Sequence, residues 1–303
     1  MALKIVEFFG FSPTDRTVAA TEARQNFLCP FVKGVCTKAL GEEDDGSEVI
    51  SGACTVRQIK NPSPIICCPK RLYANEFQIL RDLASVVFVG APPFFYFGQN
   101  QPQVRRVVAM GKDFGGEVRL PGVGGKGSFF VDWILALIDA SNRLQEFVAV
   151  EVQSIDTTGN YRAERLAYLN HQEFTQNSKG GINWENVNKR ILPQLIFKGH
   201  VLRLEPLCRA GLFFVCPSPV LARIEQRVGS GLRHYPSFHP GTITFRSYDP
   251  GPIAPEGHSR PLAFVDQYTT TVDQLAIAFT APMNLPPQGT YAEAITKRLG
   301  TLR

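Results

Sequence analysis

The chain has 303 residues, of which 44% are hydrophobic and 19% are charged, and its formal net charge at pH 7 is +5. These values are ordinary for a globular protein that buries a substantial core. No stretch is apolar for long enough to span a bilayer, and the N-terminus lacks the features of a signal peptide. We therefore expect a cytoplasmic protein with no membrane partner. The mild basic charge is compatible with a polyanionic partner without requiring one.

The N-terminal quarter of the chain is set apart by its cysteines. Five of the seven cysteines lie between Cys29 and Cys68, so we expect residues 1–75 to form a distinct module. In the stretch that follows, the apolar positions have helical spacing, which predicts a helix over 75–87.

Two β-rich runs dominate the middle of the chain. Their length and their content of aromatic and β-branched residues predict strands at 129–137 and 147–155, joined by a polar connector. Later in the chain we predict helices over 162–171, 184–196 and 291–299, and strands at 211–216 and 242–246. Pro193 is expected to kink or end the second of these helices. No clean linker appears, so an α/β (α+β) core over residues 76–303, integrated with the module, is the simplest description.

Carboxylates interrupt the two predicted strands. Glu151 and Gln153 lie two residues apart in the second strand and therefore project from the same face. If the two strands pair, Asp132 of the first strand lies on that face as well. Charged carboxylates are costly to bury without a cation or partner, so the pattern predicts a divalent metal ion. A structural ion pair is the alternative interpretation.

The predicted metal ion suggests a chemistry. Mg²⁺ prefers oxygen ligands, lowers the pKa of a bound water, and stabilises charge that develops on a phosphate. Glu117, in the preceding segment, is a candidate third carboxylate that would bind a second ion or orient the first. Gln153 would bind the metal ion or position the attacking water. The predicted activity is metal-dependent phosphodiester cleavage.

Two segments carry a family resemblance. Phe130-Val-Asp-Trp-Ile-Leu135 and Val150-Glu-Val-Gln-Ser-Ile-Asp-Thr-Thr-Gly159 resemble the NotI family of type II restriction endonucleases. The spacing from the aspartate to the second segment also resembles the core motif of the PD-(D/E)XK nuclease superfamily, with glutamine in place of the usual lysine. The resemblance implies a mixed central sheet flanked by helices, with C-terminal elaborations for DNA binding and dimerisation. The catalytic set that it implies is Glu117, Asp132, Glu151 and Gln153, with Asp132 and Glu151 binding Mg²⁺.

The same resemblance implies a substrate and an assembly. We expect a bacterial restriction-modification enzyme that acts as a homodimer on double-stranded DNA, cuts a GC-rich palindrome, and leaves 5′ overhangs. Because the chain looks shorter than the family's namesake, a CGGCCG site is expected beside the longer GCGGCCGC. A repair nuclease of low sequence specificity and a non-catalytic, metal-stabilised DNA-binding protein are the rival functions.

The clustered cysteines form an irregular four-ligand pattern. Cys29, Cys36, Cys54 and the pair Cys67-Cys68 provide thiolates, which bind iron or zinc in tetrahedral sites. Several buried free cysteines are the alternative. The resemblance implies a structural tetracysteine iron site, with zinc as the alternative metal, and places the fourth ligand at Cys68 rather than Cys67.

Basic residues flank the cysteine cluster and are candidates for contact with DNA phosphates or guanine edges. The residues so assigned are Arg57, Lys60, Lys70 and Arg71.

Overall fold

The computed structural model describes residues 2–42, 45–121, 128–229, 231–281 and 285–301, which form both helices and strands. The strands are β1 (Leu3–Phe8), β2 (Leu28–Cys29), β3 (Gly34–Val35), β4 (Ala39–Glu42), β5 (Glu48–Ile50), β6 (Ala53–Gln58), β7 (Asn61–Ile66), β8 (Phe94–Tyr96), β9 (Arg106–Gly111), β10 (Arg119–Pro121), β11 (Ser128–Phe130), β12 (Trp133–Ile138), β13 (Leu144–Val152), β14 (Thr157–Asn160), β15 (Lys179–Ile182), β16 (Leu212–Pro217), β17 (Thr242–Pro250) and β18 (Leu262–Thr271). The helices are α1 (Val18–Gln25), α2 (Ala74–Val87), α3 (Arg162–Leu169), α4 (Leu192–Arg203), α5 (Ser218–Val228), α6 (Val272–Thr280) and α7 (Thr290–Leu299).

A mixed sheet organises the molecule. Within the described ranges it has seven strands in the order β18-β17-β16-β13-β12-β9-β8. The three central strands β13, β16 and β17 run parallel to one another, whereas β12 pairs antiparallel with both β13 and β9. The predicted α/β class, with a large mixed sheet flanked by helices, is confirmed.

Alternation of side chains along the central strands creates two core layers. Val148, Val150 and Val152 belong to a layer that α2 completes, whereas Ala149 belongs to a layer that α4 and α5 complete. Helices cover both faces of the sheet, so β13 is buried on both of its faces and its side chains toward both layers are apolar.

The N-terminal residues pack onto the main sheet. Strands β1, β6 and β7 form a small antiparallel sheet. Leu3 and Ile5 of β1 lie in the same core layer as Leu212 of β16. The cysteine-bearing residues therefore share a core with the rest of the chain.

Two predicted elements differ from the structure. The strand expected over 129–137 is divided, because β11 pairs with β10 whereas β12 joins the main sheet. Pro193 does not end a helix. A π-helix over Val187–Ile191 leads directly into α4, Pro193 lies in the first turn of α4 where the π-helical pattern changes to the α-helical one, and the helix continues to Arg203. None of the described helices has the length and apolar composition needed to cross a membrane.

Candidate active site

The two predicted carboxylates lie next to each other at one end of the β12–β13 pair. Trp133, the first residue of β12, pairs with Val150, so Asp132 directly precedes this pair in the chain and Glu151 directly follows it. Oδ2 of Asp132 accepts a hydrogen bond from the backbone N–H of Val152 at 2.7 Å. This bond ties the aspartate to the neighbouring strand.

The two carboxylates lie close enough for the charge of Asp132 to act on Glu151. Asp132 is in a bend directly before β12, whereas Glu151 is near the end of β13. That their side chains share one strand face stays a prediction.

Burial makes the pair of carboxylates electrostatically unfavourable. Burial raises the pKa of Glu151 to about 7, and the nearby Asp132 carboxylate adds to the rise. The pKa of Asp132 is also raised, first by its own burial and then by the charge of Glu117. A cation bound between the two carboxylates would offset both causes.

A lysine from a distant helix completes the site. Nζ of Lys198, in α4, donates a hydrogen bond to Oε1 of Glu151 at 2.5 Å. Lys198 was not among the residues predicted from the sequence. A signal was present, because Lys198 lies between Leu195 and Leu202 among the buried residues of the helix, which are otherwise apolar or glycine, and a charged residue is unusual there.

Gln153 and Glu117 lie farther from this centre. The backbone N–H of Gln153 donates to the carbonyl of Val215 at 2.9 Å, which continues the pairing of β13 with β16. Gln153 is half-buried and lies two residues after Glu151, which is the spacing of side chains on one face of a strand. Glu117 is exposed just before β10, near enough for its charge to act on Asp132.

A tyrosine connects the carboxylates to the cysteine-bearing region. Tyr73 ends a 3₁₀ helix, Pro69–Tyr73, that starts directly after Cys68. Its hydroxyl accepts a hydrogen bond from Nε1 of Trp133 at 3.1 Å. Burial raises the pKa of Tyr73, and the charges of Asp132 and Glu151 raise it further. The phenol therefore stays protonated beside the carboxylates.

Two glycines allow the close packing that positions the site. A Cβ added to Gly111 would lie 2.6 Å from the ring of Trp133 and 2.8 Å from the carbonyl oxygen of Asp132. A Cβ added to Gly199, next to Lys198 in the chain, would lie 2.9 Å from Val272. Both distances are shorter than van der Waals contact, so a side chain at either position would displace neighbouring groups.

The cysteine cluster is buried, but its geometry does not confirm a metal site. Burial raises the pKa of Cys54 well above the ordinary value, and the neighbouring Cys68, Cys29 and Cys36 thiols add to the rise. These four sulfurs are therefore close enough to interact. Among the described residues, however, no three His, Cys, Asp or Glu side chains are placed to hold a metal ion, so the predicted tetracysteine module is not shown.

The fifth cysteine of the cluster has a different neighbour. Nζ of Lys38 lies 3.1 Å from Sγ of Cys67 and donates to the Cys67 carbonyl at 2.6 Å. Cys67 is thus engaged by a lysine.

The structure argues against one of the predicted DNA contacts. Arg71 is fully buried, and its guanidinium binds the carboxylate of Glu7 at 2.8 and 3.0 Å. Because this ion pair lies in the core, Arg71 does not face DNA, and its assignment is corrected to a structural role. Lys60 is exposed, and Arg57 and Lys70 are half-buried.

A groove of about 890 Å³ lies near the ends of β16 and β17. Trp184, Ser218, Asp249 and Arg260 are among its lining residues, whereas Asp132, Glu151 and Gln153 are not. The groove is therefore separate from the predicted catalytic residues.

Paired carboxylates and an ammonium group at one end of two buried strands define the kind of centre that hydrolyses charged esters with the help of a cation. The sequence model of the restriction endonuclease NotI family matches residues 17–206, which is more than half of the chain. The chain therefore belongs to the NotI restriction endonuclease family and is a type II site-specific deoxyribonuclease, which binds and cuts double-stranded DNA. The matched range contains the cysteine cluster, both carboxylates and Lys198. No curated protein sequence matches the chain significantly.

Proposed function

We propose that the chain cuts a GC-rich palindromic DNA site in a Mg²⁺-dependent reaction centred on Asp132, Glu151 and Gln153. The observation that supports this proposal is that the Asp132 and Glu151 carboxylates are buried close to each other at one end of the β12–β13 pair, with raised pKa values. Their oxygens fit a hard cation, which would offset the cost of their burial. The PD-(D/E)XK core motif is part of the same proposal.

The residues of the site divide the work of hydrolysis. Asp132 and Glu151 would hold Mg²⁺, which supplies a water of lowered pKa and stabilises charge on the phosphate. The amide of Gln153 orients the attacking water toward phosphorus. The water oxygen forms the new bond to phosphorus, one ester P–O bond breaks, and the proton released by the water is balanced by protonation of the leaving oxygen. Glu117, from the rim, orients the same water or adds a ligand.

The clustered thiols form the proposed structural site. Cys29, Cys36, Cys54 and Cys68 would hold iron, or zinc, and the mutual effect of these thiols on the pKa of Cys54 supports this set. Cys67 is the weaker candidate, because its sulfur contacts Lys38. Replacing Cys36 by serine should reduce bound metal below one ion per chain, measured by elemental analysis. The proposal fails if the wild-type protein carries neither iron nor zinc.

The assembly and the recognition site follow from symmetry. A two-fold homodimer presents the same surface to both halves of a palindrome. We propose the CGGCCG sequence, with GCGGCCGC as the longer form, and cleavage that leaves 5′ overhangs. Lys60 and the half-buried Arg57 and Lys70 are the remaining candidates for DNA contact. Sequencing the ends of a digested plasmid measures the site and the overhang together.

The carboxylates provide the test of the catalytic assignment. Asp132→Ala and Glu151→Ala should each abolish cleavage of a plasmid while duplex binding survives. Glu146→Ala is the matched control, because it removes a carboxylate from the same strand but from the opposite face. Near wild-type cleavage by either site variant would refute the assignment. A smear in place of discrete bands would indicate a repair nuclease, and binding without cleavage by the wild type would indicate a DNA-binding protein.

A further inference from the structure

Lys198 places a buried positive charge at the candidate active site. Its side chain is 11% exposed, and that of its partner Glu151 is 4% exposed. The charge of Lys198 also acts on Asp132, where it opposes the rise that burial causes in the pKa of that carboxyl. The ammonium group therefore stands near both carboxylates.

Stability alone does not explain this lysine. A buried ion pair is commonly no more stabilising than an apolar pair of similar volume, and the neighbouring stripe positions Leu195 and Leu202 are apolar. An ammonium group has three N–H bonds. Among the residues that the structure describes, Glu151 is the hydrogen-bond acceptor for Nζ, and no second acceptor lies within bonding distance. Two N–H bonds remain for a bound molecule.

We propose that Lys198 is a catalytic residue whose ammonium group, held by Glu151, donates a hydrogen bond to the DNA phosphate that is cleaved. This inference rests on the proposed nuclease function and adds a residue to it. As water attacks, negative charge grows on the non-bridging phosphate oxygens, and a fixed cation stabilises that charge more in the transition state than in the ground state. Gln153, which is uncharged, does not supply this charge.

The first test removes the positive charge of Lys198. Lys198→Met keeps the length of the side chain but removes its ammonium group. We expect its single-turnover cleavage rate at saturating Mg²⁺ to fall by at least about 100-fold, as for the loss of one preorganised donor. Lys189→Met is the matched control, because Lys189 lies in the π-helix (Val187–Ile191) that leads into α4, is 71% exposed and pairs with Glu185. Its cleavage rate should stay at the wild-type level.

The second readout is independent of cleavage. Without Mg²⁺, the affinity for a short duplex bearing the mapped cleavage site falls with salt, with a slope of about 0.9 per phosphate contact. Lys198→Met should reduce that slope by about 0.9 for each protomer bound. An unchanged slope would overturn the phosphate contact.

A relocated lysine provides a rescue. Gln153 lies two residues after Glu151, at the spacing of side chains on one face of a strand. The double variant Gln153→Lys/Lys198→Met therefore returns an ammonium group to the site from the end of β13. Recovery of cleavage by tenfold or more over Lys198→Met would support a role for the charge itself.

The outcomes separate this inference from the proposed function. If a folded Lys198→Met cuts within threefold of wild type while Asp132→Ala is inactive, the role of Lys198 is refuted and the nuclease site stands. If Asp132→Ala also cuts at the wild-type rate, the proposed site itself is refuted. If Lys198→Met does not fold, Lys198→Gln takes its place, because it keeps a hydrogen-bond donor without the charge. Cleavage by Lys198→Gln within threefold of wild type would likewise refute the role of Lys198.

Discussion

Glu151 should make the stability of the protein depend on pH when no divalent cation is present. Burial and the neighbouring Asp132 carboxylate raise its pKa from 4.5 to about 7 in the folded protein. The unfolded chain releases the proton near the ordinary pKa, so between pH 4.5 and 7 the folded protein binds more protons. The free energy of unfolding therefore decreases as the pH rises through this window.

The size of the effect follows from the shift. A rise from 4.5 to about 7 corresponds to roughly 3 kcal/mol over the whole titration, of which about 2.5 kcal/mol falls between pH 5 and pH 8. Glu151→Gln removes this titration and keeps the size of the side chain. Relative to wild type, the variant should gain about 2.5 kcal/mol of unfolding free energy on going from pH 5 to pH 8. The ion pair with Lys198 forms as Glu151 ionises, and its effect is already contained in the pKa of Glu151, whose rise it partly opposes.

Urea unfolding of both proteins at pH 5, 6, 7 and 8, without added Mg²⁺, measures this difference. Glu146→Gln, in the same strand, controls for the loss of a carboxylate. Mg²⁺ added at pH 8 should stabilise the wild type more than Glu151→Gln, because binding to the folded state adds to its stability. A difference between the two proteins that stays constant from pH 5 to pH 8 would refute the reasoning.

Three further substitutions test the packing around the site. Gly199→Ala should destabilise the protein by about 1–3 kcal/mol in thermal unfolding, because the added Cβ overpacks α4 against Val272. The variant should also cut DNA more slowly, because the neighbouring Lys198 is displaced. An unchanged melting temperature would contradict the tight contact. Gly111→Ala should slow cleavage more than it weakens duplex binding, since it displaces the backbone of Asp132. Equal fold-losses in cleavage rate and in duplex affinity would argue against this. Arg71→Met should cost about 3–5 kcal/mol in urea unfolding, because it leaves Glu7 buried and unpaired, and adding Glu7→Gln should restore part of the loss; duplex affinity of the folded variant should stay unchanged.

Some features of the site could be predicted because they depend on neighbouring residues in the chain. The two-residue alternation of a strand predicts Glu151 and Gln153 on one face, and the antiparallel pairing of β12 with β13 brings Asp132, which directly precedes β12, close to Glu151. The paired strands are joined by a short connector, so their register needed no information from the rest of the chain.

Other features depended on packing between distant elements. Arg71 looked like one member of a basic flank, but Glu7, sixty-four residues earlier, binds it inside the core. Pro193 was expected to kink or end a helix; it follows a π-helix over Val187–Ile191 and occupies the first turn of α4, which continues to Arg203. The local pattern does not reveal which turn of a helix a proline will occupy.

The amino-acid sequence alone determined the family resemblance, the α/β class and the carboxylates at the end of two strands, since short-range periodicity and motif spacing decide these features. The tertiary structure decided which charges meet. Lys198, forty-seven residues after Glu151 in the chain, binds it from helix α4. Arg71 is buried and binds Glu7 in the core. Burial and long-range pairing produce these contacts, because a side chain's electrostatic partners depend on how whole elements pack.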